Sequence, residues 1–525
     1  MQRRDLLRAA AGLGVPTAVA ASHSADRVDG HTTDAEGATE TGTGTGTVTG
    51  TPTPTPTDAV ATPTSGYEPL GSVAVEGATE TVTTADGGTA FVAVLDGFAT
   101  VDVSDPADLT VLAEERNISP PGTAQVMSGV QDVKYDDGRL LVAGPANHGA
   151  DGYHGVVLYD VSDPASPALL RGFQTAYPIH NCELSGEEAY LTGNNRDDNP
   201  LVVVDVAREE PAELGRWSLF DHDEDWASVS VGLRTLHDVF VRDGYAYLAH
   251  WDAGTWILDV SDPANPSHVA DVRPHTLEDL ADLDGLAVAR ERKEPPGNDH
   301  YAAADPDGTL LAVGKETWNS NFGKSETTPG PDDPGGPSGI DLYDISDPTE
   351  PAHRATVDPP PTADTNINGV WTTAHNFEIA AGHLYSSWYR GGVMVHDLSD
   401  PSNPERVRYF RRSSTTSFWT AQLAAPGGAV VASSRANPSD PSAPGRLYTF
   451  PDVARETPTE TPTTANGTTG SSTAQPTPDG SDAVETGGAT DEDGPAFGPA
   501  ATLAGLGLGT WRLLGSDPAT ADADD

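Results

Sequence analysis

Lysine is nearly missing from this 525-residue chain, occurring only at Lys134, Lys293, Lys315 and Lys324. Basic residues number 29 against 79 acidic ones, a net charge of −50. So few cations cannot neutralise a run of phosphates, which argues against nucleic acid and anionic membrane faces as partners. Such a surface repels itself in dilute salt and is screened in concentrated salt. The composition is therefore the one expected of an extreme halophile's protein. Cys182 is the single cysteine, so no internal disulfide can form. Its place in an apolar strand pattern points to a small buried side chain rather than a reactive thiol. Long apolar runs are missing too. Ala9 to Ala21 is too short for a durable membrane span, and the Gly/Ala/Leu-rich run ending at Leu514 is marginal. There is no nucleophile elbow, no His-Glu-x-x-His and no phosphate-cradling glycine loop, so no catalytic residue is assigned.

What the chain has instead is repetition. Val101-Asp102-Val103-Ser104-Asp105-Pro106 returns as Tyr159-Asp160-Val161-Ser162-Asp163-Pro164 and as Leu258-Asp259-Val260-Ser261-Asp262-Pro263. It returns again at Tyr343-Asp344-Ile345-Ser346-Asp347-Pro348 and at His396-Asp397-Leu398-Ser399-Asp400-Pro401, with a decayed copy around Asp205. Each copy reads as a strand with one face buried, stopped by proline and by an Asx-turn from the aspartate before it. Upstream of each copy lies a tight turn between two apolar runs, such as Asp137-Gly138, Asp243-Gly244, Ala381-Gly382 and Gly427-Gly428. Asp-Gly in that setting is a strong hairpin signal. Hairpin, Asp-Val strand and outer strand make four antiparallel strands per unit, and there are seven units.

The repeat resembles the LVIVD family, and Leu201-Val202-Val203-Val204-Asp205 nearly spells the name. The resemblance implies a β-propeller over residues 67–455 and is almost silent on activity. The expected fold is thus all-β: a seven-bladed β-propeller of four-stranded antiparallel blades between disordered N- and C-terminal segments. The last unit lacks an outer strand. Glu68 to Val75 reads as an outer strand without a blade, so it is expected to complete the seventh and close the ring.

Outside the propeller the chain is tail and linker. Residues 1–21 carry Arg3-Arg4 before the apolar run and resemble a twin-arginine-type export signal. Residues 22–66 and 456–495 are Thr/Gly/Pro-rich linker and stalk. Residues 496–525 resemble a degenerate haloarchaeal sorting and anchoring segment, with Pro495-Ala496-Phe497 in place of Pro-Gly-Phe and an acidic rather than basic end.

Aligning the inner strands on their hairpin glycines brings Glu80, Gln131, His180, His237, His300, His375 and Thr420 into one column at the start of the channel-lining strand, with His300 and His180 each shifted by one residue in opposite directions. The next residue is often Asn or Asp: Asp132, Asn181, Asp238 and Asn376. Two readings follow. In one, the histidines bond neighbouring Asn and Asp side chains as a ring between blades. In the other, His180, His237, His300 and His375 ligate an axial transition metal (Zn, Fe or Cu), with Glu183 or Glu378 alongside. Glu80, Gln131 and Thr420 are the candidate ligand-binding members. Trp251, Trp256, Trp318, Trp371, Trp388 and Trp419 are either blade packing or a sugar-binding rim. The expected function is an exported cell-surface or secreted binding module without chemistry. Its partner would be a surface protein, a glycan or a small molecule. The alternative is a metal-dependent oxidoreductase or hydrolase built on the four histidines.

Overall fold

The computed structural model of the protein describes residues 62–320, 335–425, 427–440 and 442–453. The segments expected as export signal, stalk and sorting segment, and most of the expected linker, lie outside the described residues, as do residues 321–334.

Seven four-stranded antiparallel sheets account for the described strands. Blade 4 shows how one forms. Asp238–Arg242 pairs with Tyr245–Ala249 across Asp243-Gly244, and Thr255–Asp259 and Ser267–Val272 follow in order. Asp243 and Gly244 have φ of 51° and 82°. Two successive positive φ values match the twist of a two-residue hairpin, which Asp-Gly accepts at little cost. The third strand ends in two consecutive Asx-turns. Asp259 Oδ1 accepts from the backbone N–H of Ser261 at 2.9 Å and from its hydroxyl at 2.6 Å. Asp262 Oδ1 then accepts from Ala264 N–H at 3.2 Å. Only the second of these turns was expected from the sequence. The same pairs occur at Asp102/Asp105 and Asp160/Asp163.

Asp344 adds an ion pair to this turn: Arg354 and the Ser346 N–H hold its carboxyl down at about 2. A depressed carboxyl stabilises the fold above its unfolded value near 4 and loses that contribution as pH falls towards 2. Asp344→Ala is therefore expected to lower the urea midpoint at pH 7 and to have a much smaller effect near pH 2. An equal loss at both pH values would place the residue's worth in packing instead.

The middle strands differ from their expected pattern. They are buried on both faces, not one. In Gly155–Asp160, Val157 and Tyr159 pack with Phe91 and Phe98 of the preceding blade. Val156 and Leu158 pack with Cys182 and Leu191 of the following blade. A propeller sandwiches each sheet between two others, so its central strands read as continuous apolar runs. Seven apolar clusters result, one at each interface between blades.

The ring closes as expected. Gly71–Ala74 pairs antiparallel with Arg446–Pro451, so blade 7 takes its outer strand from the N-terminal side. Inner strands pack on one another in cyclic order, the seventh on the first. Within each blade the start of the inner strand pairs with the end of the second, as Asp238 does with Ala249. Loops after second strands and connections into inner strands therefore share one end of the channel. The insertion between blades 4 and 5 emerges there and carries two short helices, Leu277–Ala281 and Gly285–Glu291.

Candidate functional site at one mouth of the channel

The four histidines of the column meet. His180 and His237 lie 4.1 Å apart between ring centroids, His237 and His300 3.9 Å, and His300 and His375 4.7 Å. Trp419 continues the arc 4.1 Å from His375. His237, His300 and His375 are buried and His180 is half-buried.

Their hydrogen bonds are not the expected ones to Asn or Asp. His180 Nδ1–H donates to Ala146 O (2.7 Å), His237 Nδ1–H to His300 O (2.9 Å) and His375 Nδ1–H to Trp419 O (2.7 Å). A backbone carbonyl can only accept, so it fixes the tautomer and leaves Nε2 as a bare lone pair. His300 differs: its Nδ1 is buried with no partner. Its Nε2 lies 3.7 Å from Glu316 Oε2, too far for a hydrogen bond. Burial drives all four imidazoles below their usual range: His300 to about 4, and His237 and His375 well down. At neutral pH they are uncharged, so the His300–Glu316 approach is not an ion pair.

Glu316 was not singled out in the sequence. The register of the Asp307-Gly308 hairpin could have found it, because Asp299 pairs with Lys315 and residue 316 therefore continues the second strand beside His300. Asn298 clamps the Glu316 backbone from both sides, accepting its N–H at 3.1 Å and donating Nδ2 to its carbonyl at 2.7 Å. The Tyr389 hydroxyl donates a short hydrogen bond to Glu316 Oε1, leaving Oε2 towards His300. One donor atom from each of His300, Glu316 and His375 lies within 4.8 Å of the others. Glu183 and Glu378 are engaged elsewhere, accepting from the backbone N–H of Leu184 and Leu423.

The neighbouring Asn/Asp positions form a second layer that does tie the blades together. Glu80 Oε2 accepts from Asn376 Nδ2 (2.6 Å) and Thr420 Oγ1 (2.8 Å), joining blades 1, 6 and 7. Lys134 ion-pairs with Asp132 and lies 3.9 Å from Glu80 Oε1. Asp132 Oδ2 accepts from Cys182 N–H at 2.7 Å, and Asn181 donates to Asp238. Gln131 is half-buried and contributes its carbonyl to Glu80 N–H. Burial pushes Glu80 up to about 7 despite Lys134. Burial would lower the Lys134 ammonium, but Asp132 and Glu80 more than offset it. The Cys182 thiol is pushed well up by burial, so it is not a ready nucleophile at neutral pH.

Above the histidines the tryptophans divide. Trp256 and Trp388 are fully buried blade packing. Trp371 stands 4.9 Å from Trp318 and 5.3 Å from Tyr389, and Tyr389 stands 4.9 Å from His375. A cavity of about 130 Å³ opens beside them, lined by Trp371, Tyr389, Arg390, Ser417 and Arg435 among others. Arg390 donates to Ser413 O (2.9 Å) and Ser439 Oγ (2.9 Å) and has no carboxylate partner among the described residues.

Comparison with curated proteins finds no match. Among solved structures, the β-propeller domain of Myceliophteria thermophila Cps50 (Swd1) is similar at 9% identity, covering 74% of this chain and 99% of that one, with a TM-score of 0.48. Residues 81–114, 150–175 and 234–273 match the family model described as the LVIVD repeat. These segments fall in blades 1, 2 and 4, so the chain carries LVIVD repeats on a seven-bladed β-propeller.

Proposed function

We propose that this chain is an exported binding propeller. It holds a small anionic ligand with a flat apolar body in the cavity between Trp371, Tyr389 and Arg390, and performs no chemistry on it. Arg390 carries the reading. Arg116, Arg216 and Arg354 pair with carboxylates, whereas Arg171, Arg234, Arg411 and Arg390 are held by backbone carbonyls. What sets Arg390 apart is its place at a cavity wall, held by Ser413 O, Gly369 O and the Ser439 hydroxyl, where burial lowers its pKa. A half-buried guanidinium with no carboxylate partner among the described residues favours an incoming carboxylate. The indole and phenol beside it supply flat apolar contact. The volume is close to that of a cavity known to admit a single benzene ring, about 150 Å³. Export rests on the paired arginines and apolar run at the N-terminus, and the acidic surface suits high salt.

Benzoate is a suitable probe. In 2 M KCl it is expected to raise the melting temperature of the wild type and not that of Arg390→Gln. Benzyl alcohol, the same ring without the charge, is expected to bind at least tenfold more weakly. Equal benzoate responses in wild type and variant would remove the ligand seat, and recovery of the native chain solely from the cytoplasm would remove export.

A further inference from the structure

We infer that the channel mouth holds one divalent transition-metal ion between His300, His375 and Glu316. The ion would be ligated by two imidazole nitrogens and one carboxylate oxygen, with the His237 ring tilted against His300. Three observations carry this.

The first is convergence. Three donor atoms from two adjacent blades lie within 4.8 Å of one another; His300 sits at a register shift in the first strand of blade 5, and Glu316 and His375 flank paired strands. The second is that His375 and Glu316 bring lone pairs rather than protons to this point. His375 Nδ1 has spent its proton on Trp419 O. Glu316 accepts its hydrogen bond from Tyr389 on the opposite oxygen. What remains is the His375 Nε2 lone pair and the free Oε2 of a half-buried carboxylate, a donor set that suits a transition-metal ion. The third is the unsatisfied ring. His300 is 4% exposed, its Nδ1 has no partner, and its Nε2 reaches only to 3.7 Å from the carboxylate. A neutral imidazole with no hydrogen bond on either nitrogen can place its proton on one and offer the lone pair of the other to an ion.

The surroundings supply the usual support for ligands. His375 is oriented by a backbone carbonyl and Glu316 by a tyrosine hydroxyl, partners of the kind that fix ring tautomer and carboxylate rotamer around a metal. Two imidazoles and one carboxylate suit Zn²⁺, Fe²⁺ or Co²⁺ and leave coordination positions open. A hard cation such as Ca²⁺ would ask for more oxygen donors than the three residues offer.

The inference shares the mouth with the proposed ligand seat but does not depend on it. The test uses the folded, full-length chain, stripped with chelator in 2 M KCl and then titrated with Co²⁺. One Co²⁺ per chain is expected, with visible d–d absorption of a low-coordinate nitrogen/oxygen site. His375→Ala and Glu316→Gln are each expected to weaken binding at least 100-fold. Tyr389→Phe, which removes only the hydrogen bond behind Glu316, is expected to weaken it about 10-fold or more. His353→Ala, an exposed histidine in blade 5, is the control and is expected to change nothing. Melting curves of the metal-free proteins separate loss of the site from loss of the fold. Should His375→Ala unfold, Glu316→Gln and Tyr389→Phe still decide the matter. Failure to bind stoichiometric Co²⁺, or equal binding in wild type and Glu316→Gln, overturns the inference. Arg390→Gln is expected to keep its cobalt, so a wild type that binds benzoate but no Co²⁺ retains the ligand seat and loses the ion. The reverse result loses the ligand seat and retains the ion.

Discussion

Replacing Lys134 with methionine is expected to destabilise the propeller by about 3–5 kcal/mol, the usual cost of stripping one partner from a buried ion cluster. Lys134 is one of four lysines in the chain, and it sits at the axis rather than on the surface. It is 7% exposed, between Asp132 and Glu80, which are buried more deeply still. Those two carboxyls link the blades: Asp132 receives the Cys182 N–H of blade 3, and Glu80 receives Asn376 of blade 6 and Thr420 of blade 7. Without the ammonium, two acids would face each other in a desolvated channel. The loss should be read as a fall in denaturation midpoint in concentrated KCl. Removing the charges together, as Lys134→Met/Asp132→Asn/Glu80→Gln, should recover most of it, because a neutral hydrogen-bonded cluster leaves no uncompensated charge. If the single and triple variants were equally unstable, the cluster would matter for its shape and not for its charge.

A chain beginning at Val75 is expected to fail as a closed ring. The segment it lacks contributes Gly71–Ala74 to blade 7, and Tyr67, which is 4% exposed and stacks on Phe450 at 5.6 Å. Leu70 N–H also bonds Thr449 O at 2.8 Å, and Glu68 pairs with Arg412. Burial of one tyrosine and a strand's ladder bonds together stabilise by about 5 kcal/mol, a large share of a domain's total. The truncation also bares the edge of Arg446–Pro451, which invites pairing between chains. The truncated protein is therefore expected to melt lower and to aggregate. A synthetic peptide of residues 62–75 should reverse both by adding back as a strand. A truncated chain with the wild-type midpoint would show that the seam carries no strain and that the ring is held elsewhere.

Much of this architecture is legible because the signals are local. Asp243-Gly244 specifies its hairpin through two φ angles, and Ser261-Asp262-Pro263 stops its strand through proline and an Asx-turn; neither depends on what lies across the ring. Counting such signals reached seven blades and found the missing outer strand. The reading of middle strands as buried on one face failed for a definite reason. Val157 and Leu158 look alike to any local rule, and only the presence of a blade on each side makes both faces interior.

The site is legible in part. The histidine column emerged because equivalent positions in a repeat lie at equivalent heights, and the structure brings consecutive rings within 5 Å of each other, tilted or edge-on. Their hydrogen-bond partners did not emerge, since Ala146 O, His300 O and Trp419 O belong to neighbouring blades and leave no mark in side-chain type. Glu316 lies just after a strand rather than in the column, and Arg390 looks like any loop arginine until its lack of a carboxylate is visible.

The sequence alone determined the kind of unit, its number and the place where the ends join, because turn chemistry and strand period act over a few residues and repeat. It also determined that histidines share one level of the channel. Only the tertiary structure decided which atoms those histidines turn inward, which glutamate joins them, and that a rare lysine is buried on the axis. Those outcomes depend on distances between blades, and such distances are set by the packing of seven sheets at once rather than by any short stretch of chain.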